Sequence, residues 1–172
     1  MGKITFVLGG ARSGKSSQAL KLAKAFGGRV AFVATCQGLD SEMKKRIALH
    51  KQSRPKQWKT FEEGYEVDKL LNAIGGKFDV IIIDCLTLLV SNLMLEEFRD
   101  NAVEIRIKKV VAALKKIKAD SVMVSNEVGL GIVPENKLAR RFRDVAGRAN
   151  QIIAGSSEEV YFMVSGIAWR IK

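Results

Sequence analysis

The chain of 172 residues is 47% apolar and 27% charged, which suits one globular domain with a full core and leaves little length for a second. With 29 Lys and Arg against 18 Asp and Glu the formal net charge is +11, which favours anionic partners such as nucleotides, phosphorylated substrates or nucleic acid. Solvated lysine on helix faces (Lys108, Lys109, Lys115, Lys116, Lys118) is the plainer alternative. The richest apolar stretch, Val80 to Leu95, is interrupted by Asp84, Ser91 and Asn92, and the apolar run after Lys3 is too short for a signal peptide. A soluble cytoplasmic protein with no membrane span is expected. Two cysteines, Cys36 and Cys85, give neither a disulfide framework nor a zinc spacing and are expected to remain thiols.

In chain order, Ile4 to Leu8 reads as a short apolar strand and runs into Gly9, Gly10, Ala11, Arg12, Ser13, Gly14, Lys15 and Ser16. This is the phosphate-loop pattern of glycine, four residues, then glycine-lysine-serine, lying between a strand and a helix as it must. Glycines let backbone N–H groups curl towards a polyphosphate, and the following helix adds its positive end. Lys15 would reach the β- and γ-phosphates, and the Ser16 hydroxyl would take one position on Mg2+. Ser17 to Phe26 then has helical spacing, stopped by Gly27 and Gly28.

Arg29 to Thr35 is a strand-length run whose end, Ala34, Thr35 and Cys36, either lines a nucleotide site or is an ordinary strand end. Asp40 to Lys51 reads as a charged helix ended by Arg54-Pro55, and it carries the chain's one histidine, His50, on the same face as Arg46. A neighbouring cation disfavours imidazole protonation and attracts phosphate, which suits a neutral nucleophile; a merely exposed histidine is the alternative.

Gln57 to Phe61 is a short strand, Tyr65 to Ile74 a helix, and Phe78 to Ile83 an apolar strand closed by Asp84. Downstream of a phosphate loop, an acid in that place supplies the second half of a magnesium site, or caps the helix that follows. Helical patterns cover Leu86 to Leu95 and a long stretch to about Lys118, the latter with Val103, Ile107, Val110, Val111, Leu114 and Ile117 as its buried stripe. Ser121 to Ser125 is another buried strand, closed by Asn126 and Glu127, which would contact substrate or orient a hydroxyl for attack. The helix from Glu135 to about Ala154 would bury Leu138, Phe142, Val145, Ala149 and Ile152, with Arg140, Arg141, Arg143 and Arg148 on a solvated face. Val160 to Ser165 is a last strand, and the tail beyond it an edge strand or extension. Alternating strands and helices predict a single α/β domain, residues 1–172, on a parallel sheet.

Several stretches closely resemble the bifunctional adenosylcobinamide kinase and adenosylcobinamide-phosphate guanylyltransferase family of cobalamin assembly. They are GGARSGKS from Gly9 to Ser16, the strand end at Thr35, His50 with Arg54-Pro55 and WKTFEE, Asp84-Cys85, the long block from Ser125 to Gln151, and the closing VSGIAWRIK. The resemblance runs nearly end to end. It implies a P-loop NTPase domain of RecA-like, three-layer α/β type, with a mainly parallel sheet. It also implies two reactions. ATP or GTP would phosphorylate the aminopropanol hydroxyl of adenosylcobinamide, and His50 would then take GMP from GTP as a phosphoramidate and pass it to the acceptor phosphate.

By the same resemblance, nucleotide contacts fall on Gly9 to Ser16, on Ala34, Thr35 and Cys36, on Lys51, Gln52, Ser53 and Arg54, on Glu62 and on Asp84. Lys15 and His50 would be catalytic, and Ser16 and Asp84 would hold Mg2+. The family usually forms a trimer. The segment from Asn92 to Ile105 is shorter than in many relatives, and Asp84 stands where some carry Glu. Two other readings share the phosphate loop and Asp84. One is a nucleic-acid-stimulated ATPase, for which aromatics are sparse at 7%. The other is a simple small-molecule kinase without a covalent nucleotide on the protein.

Overall fold

A computed structural model describes residues 1–36, 54–96 and 99–172. Within them the strands are β1 (Ile4–Gly9), β2 (Val30–Ala34), β3 (Lys59–Glu62), β4 (Val80–Asp84), β5 (Asp120–Asn126), β6 (Glu159–Val164) and β7 (Ile167–Arg170). The helices are α1 (Lys15–Phe26), α2 (Val67–Ile74), α3 (Leu86–Glu96), α4 (Asp100–Lys116) and α5 (Lys137–Ser156). The helix expected from Asp40 to Lys51 lies outside the described residues.

The strands form one sheet in the order β3-β2-β4-β5-β1-β6-β7. All neighbouring pairs are parallel except β6 with β7. Side chains alternate across it, as the two-residue period of a strand requires. Phe6, Ala31, Val33, Ile81 and Ile83 face the core built by α2 to α5, while Val7, Phe32, Ala34, Val80 and Ile82 face the smaller core under α1. Three layers result: α1, the sheet, and the other four helices. Burial of both faces explains why β2 and β4 read as nearly unbroken apolar runs.

The tail is an edge strand, joined to β6 by Ser165 and Gly166 with φ of 50° and 85°. Positive φ at both central residues is the requirement of the two-residue turn that matches strand twist. The stripe expected on α4 is buried throughout, and the five lysines named above are exposed.

The expected face of helix α5 holds at Val145 and Ala149 and fails at its amino end. Asn136 caps it, its side chain accepting the Ala139 N–H at 3.1 Å, and the buried face is Val145, Ala146, Ala149, Asn150 and Ile153. Phe142 and Ile152 are only partly buried, and Leu138 is 59% exposed. Lys137 and Leu138 of the helix's first turn are exposed, so Leu138 is not part of the core. Small residues at 146 and 149 let the later turns approach closely.

The arginines on this helix are not simply solvated. Arg141 Nε lies 2.7 Å from Asp100, and Arg148 reaches Asp100 at 3.1 Å and Glu104 at 2.7 Å. Arg140 donates to the carbonyls of Pro134 and Glu135. The first two tie α5 to α4, and the third secures the loop that leads into the helix.

Ile153→Ala is expected to destabilise by about 2–5 kcal/mol, the usual loss when a fully buried branched side chain is truncated. Leu138→Ala should stay within about 0.5 kcal/mol. Urea unfolding midpoints of the two variants measure the difference.

Candidate active site at the carboxyl edge of the sheet

Strand register brings Gly9, Ala34, Glu62 and Asp84, among the predicted residues, to one edge. Gly9 lies between Asn126 of β5 and Met163 of β6. Asp84 pairs with Ala34, and Ala34 with Glu62. In an open parallel sheet, that edge is where ligands bind.

The phosphate loop is braced from both sides. Glu127 N–H donates to the Gly9 carbonyl at 2.9 Å, and Gly166 N–H donates to the Ser13 carbonyl at 3.0 Å. Gly14 has φ of 95°, a conformation that favours glycine, and a Cβ there would also crowd the Gly166 Cα at 3.3 Å. Lys15 is buried, and its ammonium donates to the Gly10 carbonyl at 2.5 Å. Burial pulls its pKa down, against the opposing pull of Cys85 and Asp84. The Ser13 hydroxyl is buried without a hydrogen-bond partner among the described residues. A desolvated ammonium and an unsatisfied hydroxyl, in a loop that opens a helix, match what a polyphosphate supplies.

Ser16 Oγ donates to Asp84 Oδ2 at 3.3 Å. A hydroxyl and a carboxylate so placed are hard oxygen donors suited to Mg2+, which keeps several waters and needs few protein ligands. Asp84 is held through its neighbour. The Thr35 hydroxyl donates to the Cys85 carbonyl at 2.7 Å and accepts the Cys85 N–H at 2.8 Å, while Thr35 N–H donates to the Asp84 carbonyl at 3.1 Å. Thr35 is fully buried, so its side chain positions the β4 end, and Ala34 is also buried. Cys36 is partly exposed. Cys85 is a buried free thiol whose pKa burial pushes up to about 12, with Asp84 adding to the rise, which keeps it protonated and inert.

Arg54 stacks over Phe32, its guanidinium carbon 3.5 Å from the ring centroid, and Nη1 donates to Thr60 at 3.4 Å. Burial lowers its pKa, and the charges of Asp84 and Glu62 oppose that shift. The same alternation that sends Phe32 to the α1 side sets Arg54 on that side. Glu62 is exposed at the end of β3. His50, Lys51, Gln52 and Ser53 lie outside the described residues.

Two features escaped sequence reading. Asn92, buried on α3, donates to the carbonyls of Thr35 at 2.9 Å and Gly64 at 3.0 Å, joining the ends of β2 and β3. A lone Asn inside an otherwise apolar helix was its signal. Thr87, Ser125 and Asn150 form a buried chain, with contacts of 3.1 and 2.7 Å, and Thr87 accepts the Asn126 N–H at 2.6 Å. This network fixes the end of β5. Beside it is a cleft of about 430 Å³, lined by Ala11, Thr87, Leu88, Ser91, Asn126, Glu127, Val128 and Phe142, that runs from the phosphate loop to α5.

A family model described as cobinamide kinase / cobinamide phosphate guanyltransferase matches residues 5–171. The bifunctional adenosylcobalamin biosynthesis protein CobU of Escherichia coli (strain K12) is 41% identical over 96% of this chain and 98% of its own length. The protein of the same name in Salmonella typhimurium is 43% identical with the same coverage. CobP of Pseudomonas aeruginosa is 39% identical over 96% of this chain and 95% of its own. Among solved structures, the RadB recombinase superposes with a TM-score of 0.56 at 15% identity, covering 93% of this chain and 73% of that one. The KaiC-like protein PH0186 of Pyrococcus horikoshii gives 0.52 at 15%, covering 93% and 70%. These structures share the RecA-like P-loop fold with this chain.

Lys15→Met removes a buried charge, so the melting temperature of the nucleotide-free protein is expected not to fall. The rise produced by saturating GTP, which corresponds to about 2.7 kcal/mol at a hundredfold excess over Kd, should vanish. Thr35→Val leaves the Cys85 N–H buried and unpaired, at a cost of about 1–3 kcal/mol. It should weaken GTP binding as well, because Asp84 loses its support; denaturant titration and calorimetry read the two effects separately.

Proposed function

The chain belongs to the cobinamide kinase / cobinamide phosphate guanyltransferase family, and from that we propose that one nucleotide site on one domain, residues 1–172, serves both transfers through the residues gathered at the carboxyl edge. The family's two activities are kinase and guanylyltransferase, in cobalamin biosynthesis. ATP and GTP are the nucleotide substrates and the corrinoid is the acceptor.

The observation that carries the reading is Lys15, a buried ammonium whose only described hydrogen bond is to a loop carbonyl. It is held there in a conformation that an incoming triphosphate rewards. Loop N–H groups from Gly9 to Ser16 would orient the phosphates, and Lys15 would offset charge that develops on the β- and γ-oxygens during transfer. Ser16 and Asp84 would hold Mg2+, which when bound neutralises phosphate charge and aligns the leaving group.

For the second transfer, His50 is the proposed nucleophile. A neutral imidazole nitrogen would attack the α-phosphorus of GTP, pyrophosphate would leave, and GMP would remain on the ring until the acceptor phosphate takes it. Support comes from Arg54. Four residues of chain keep the two Cα atoms within about 14 Å, and Arg54 sits where Asp84 and Glu62 both act on its charge. Chain connectivity alone thus leaves His50 within reach of the residues around Arg54. Arg54, with Lys51, Gln52 and Ser53, would meet phosphate oxygens, and Glu62 would accept hydrogen bonds from guanine or ribose.

GTP labelled at the α-phosphate should leave acid-labile, alkali-stable label on denatured wild-type protein and none on His50→Ala. Equal labelling of that variant would reject the nucleophile, and transfer of γ-label alone would leave the kinase by itself.

A further inference from the structure

We propose that the cleft between the phosphate loop and α5 receives the hydroxyl-bearing arm of the corrinoid, that the Glu127 carboxylate is the proton acceptor of the kinase step, and that the apolar loop beyond it seats the macrocycle. This rests on the kinase reading above and assigns its acceptor side.

Glu127 follows the last residue of β5, the strand between the phosphate-loop strand and the Asp84 strand. Its own N–H donates to the Gly9 carbonyl at 2.9 Å, so it cannot move independently of the loop that grips the triphosphate. One carboxylate oxygen, Oε1, accepts the Gly129 N–H at 2.6 Å, which fixes the side chain's rotamer. The other oxygen has no hydrogen bond among the described residues. Glu127 and Ala11, at the tip of the phosphate loop, line the same cleft. A hydroxyl in that cleft therefore shares one space with Glu127 and with the tip of the phosphate loop. That is the arrangement a kinase uses when an acid accepts the proton of the attacking hydroxyl.

Size divides the acceptor in two. Pockets of roughly 300–1,000 Å³ enclose drug-sized molecules. A cleft of about 430 Å³ holds an aminopropanol arm with room for water, and a corrin ring is far too large for it. The ring must lie outside, and the wall there is apolar. Leu130 is 79% exposed, Ile132 96%, Val133 57% and Leu138 59%, and Val128 joins them to the cleft. So dense a run of exposed aliphatic side chains beside a site marks a binding surface. A flat, largely apolar macrocycle with amides at its rim is a matching occupant, attached to the arm that the cleft takes. The exposed first turn of α5, which carries Leu138, becomes part of this seat.

The step balances. A bond forms between the arm's hydroxyl oxygen and the γ-phosphorus. The bond from that phosphorus to the β,γ-bridging oxygen breaks, and nucleoside diphosphate leaves with the electron pair. The hydroxyl proton passes to the Glu127 carboxylate.

The test follows transfer of γ-label from ATP and from GTP to adenosylcobinamide, with full-length protein. Glu127→Gln should lower kcat about 100-fold or more, while the rise in melting temperature on adding GTP, which a folding defect would abolish, persists. Ile132→Glu should raise KM for adenosylcobinamide at least tenfold, with KM for the nucleotide held. Wild-type kcat in Glu127→Gln would overturn the base, and an unchanged corrinoid KM in Ile132→Glu would overturn the seat. Should Glu127→Gln lose the GTP-induced rise, Glu127→Asp decides: a carboxylate that restores the rise but not the rate supports placement-sensitive proton transfer, and one that restores neither overturns it. Absence of γ-transfer by the wild type would instead reject the kinase reading on which this one rests.

Discussion

Everything at the site inherits its position from β1, which is hydrogen-bonded in parallel to β5 on one side and β6 on the other. A strand held on both edges and buried on both faces has almost no freedom, so the turn that leaves its carboxyl end starts from a fixed point. Phe6 and Val7, both fully buried, anchor it into the two cores. From that point the phosphate loop is clasped by backbone hydrogen bonds from the two neighbouring chain segments, at Glu127 and Gly166. Rigid backbone is what a loop of N–H donors needs if it is to stabilise phosphate charge without reorganising.

The sheet also divides the chemistry. On the α1 side lie Ser16, Asp84 and the Arg54–Phe32 stack, all charged or charge-tolerant groups. On the α3 and α5 side lies a cleft whose walls mix short polar side chains with Leu88 and Phe142. The phosphate loop lies at the border. Among the described residues the loop thus borders two chemically different surfaces, one charged and one of mixed polarity.

Much of this was legible in the sequence. The phosphate loop is a local motif with an obligatory strand and helix around it, and Asp84 follows an apolar run that admits no other reading than a buried strand. The α4 stripe was legible because its period is strict over four turns. On α5 the expected face held at Val145 and Ala149 and partly at Phe142 and Ile152; what failed was its amino end, where Leu138 looked apolar enough to be core and is exposed. The pairing of Arg141 and Arg148 could not be read for a related reason: their partners, Asp100 and Glu104, lie on another helix. Buried polar contacts such as Asn92 with Gly64, or Thr35 with Cys85, join residues remote in sequence and leave no periodic trace. His50 rose above a bland reading only through family resemblance, since its spacing from Arg46 is by itself a weak signal.

The turn at Ser165 and Gly166 carries a further implication. One of the phosphate loop's two clasps comes from this hairpin and the other from the end of β5, both remote from the loop in sequence. The set of the loop is therefore a property of the assembled sheet, and local opening of the hairpin would slacken it without altering a single residue of the glycine-rich stretch.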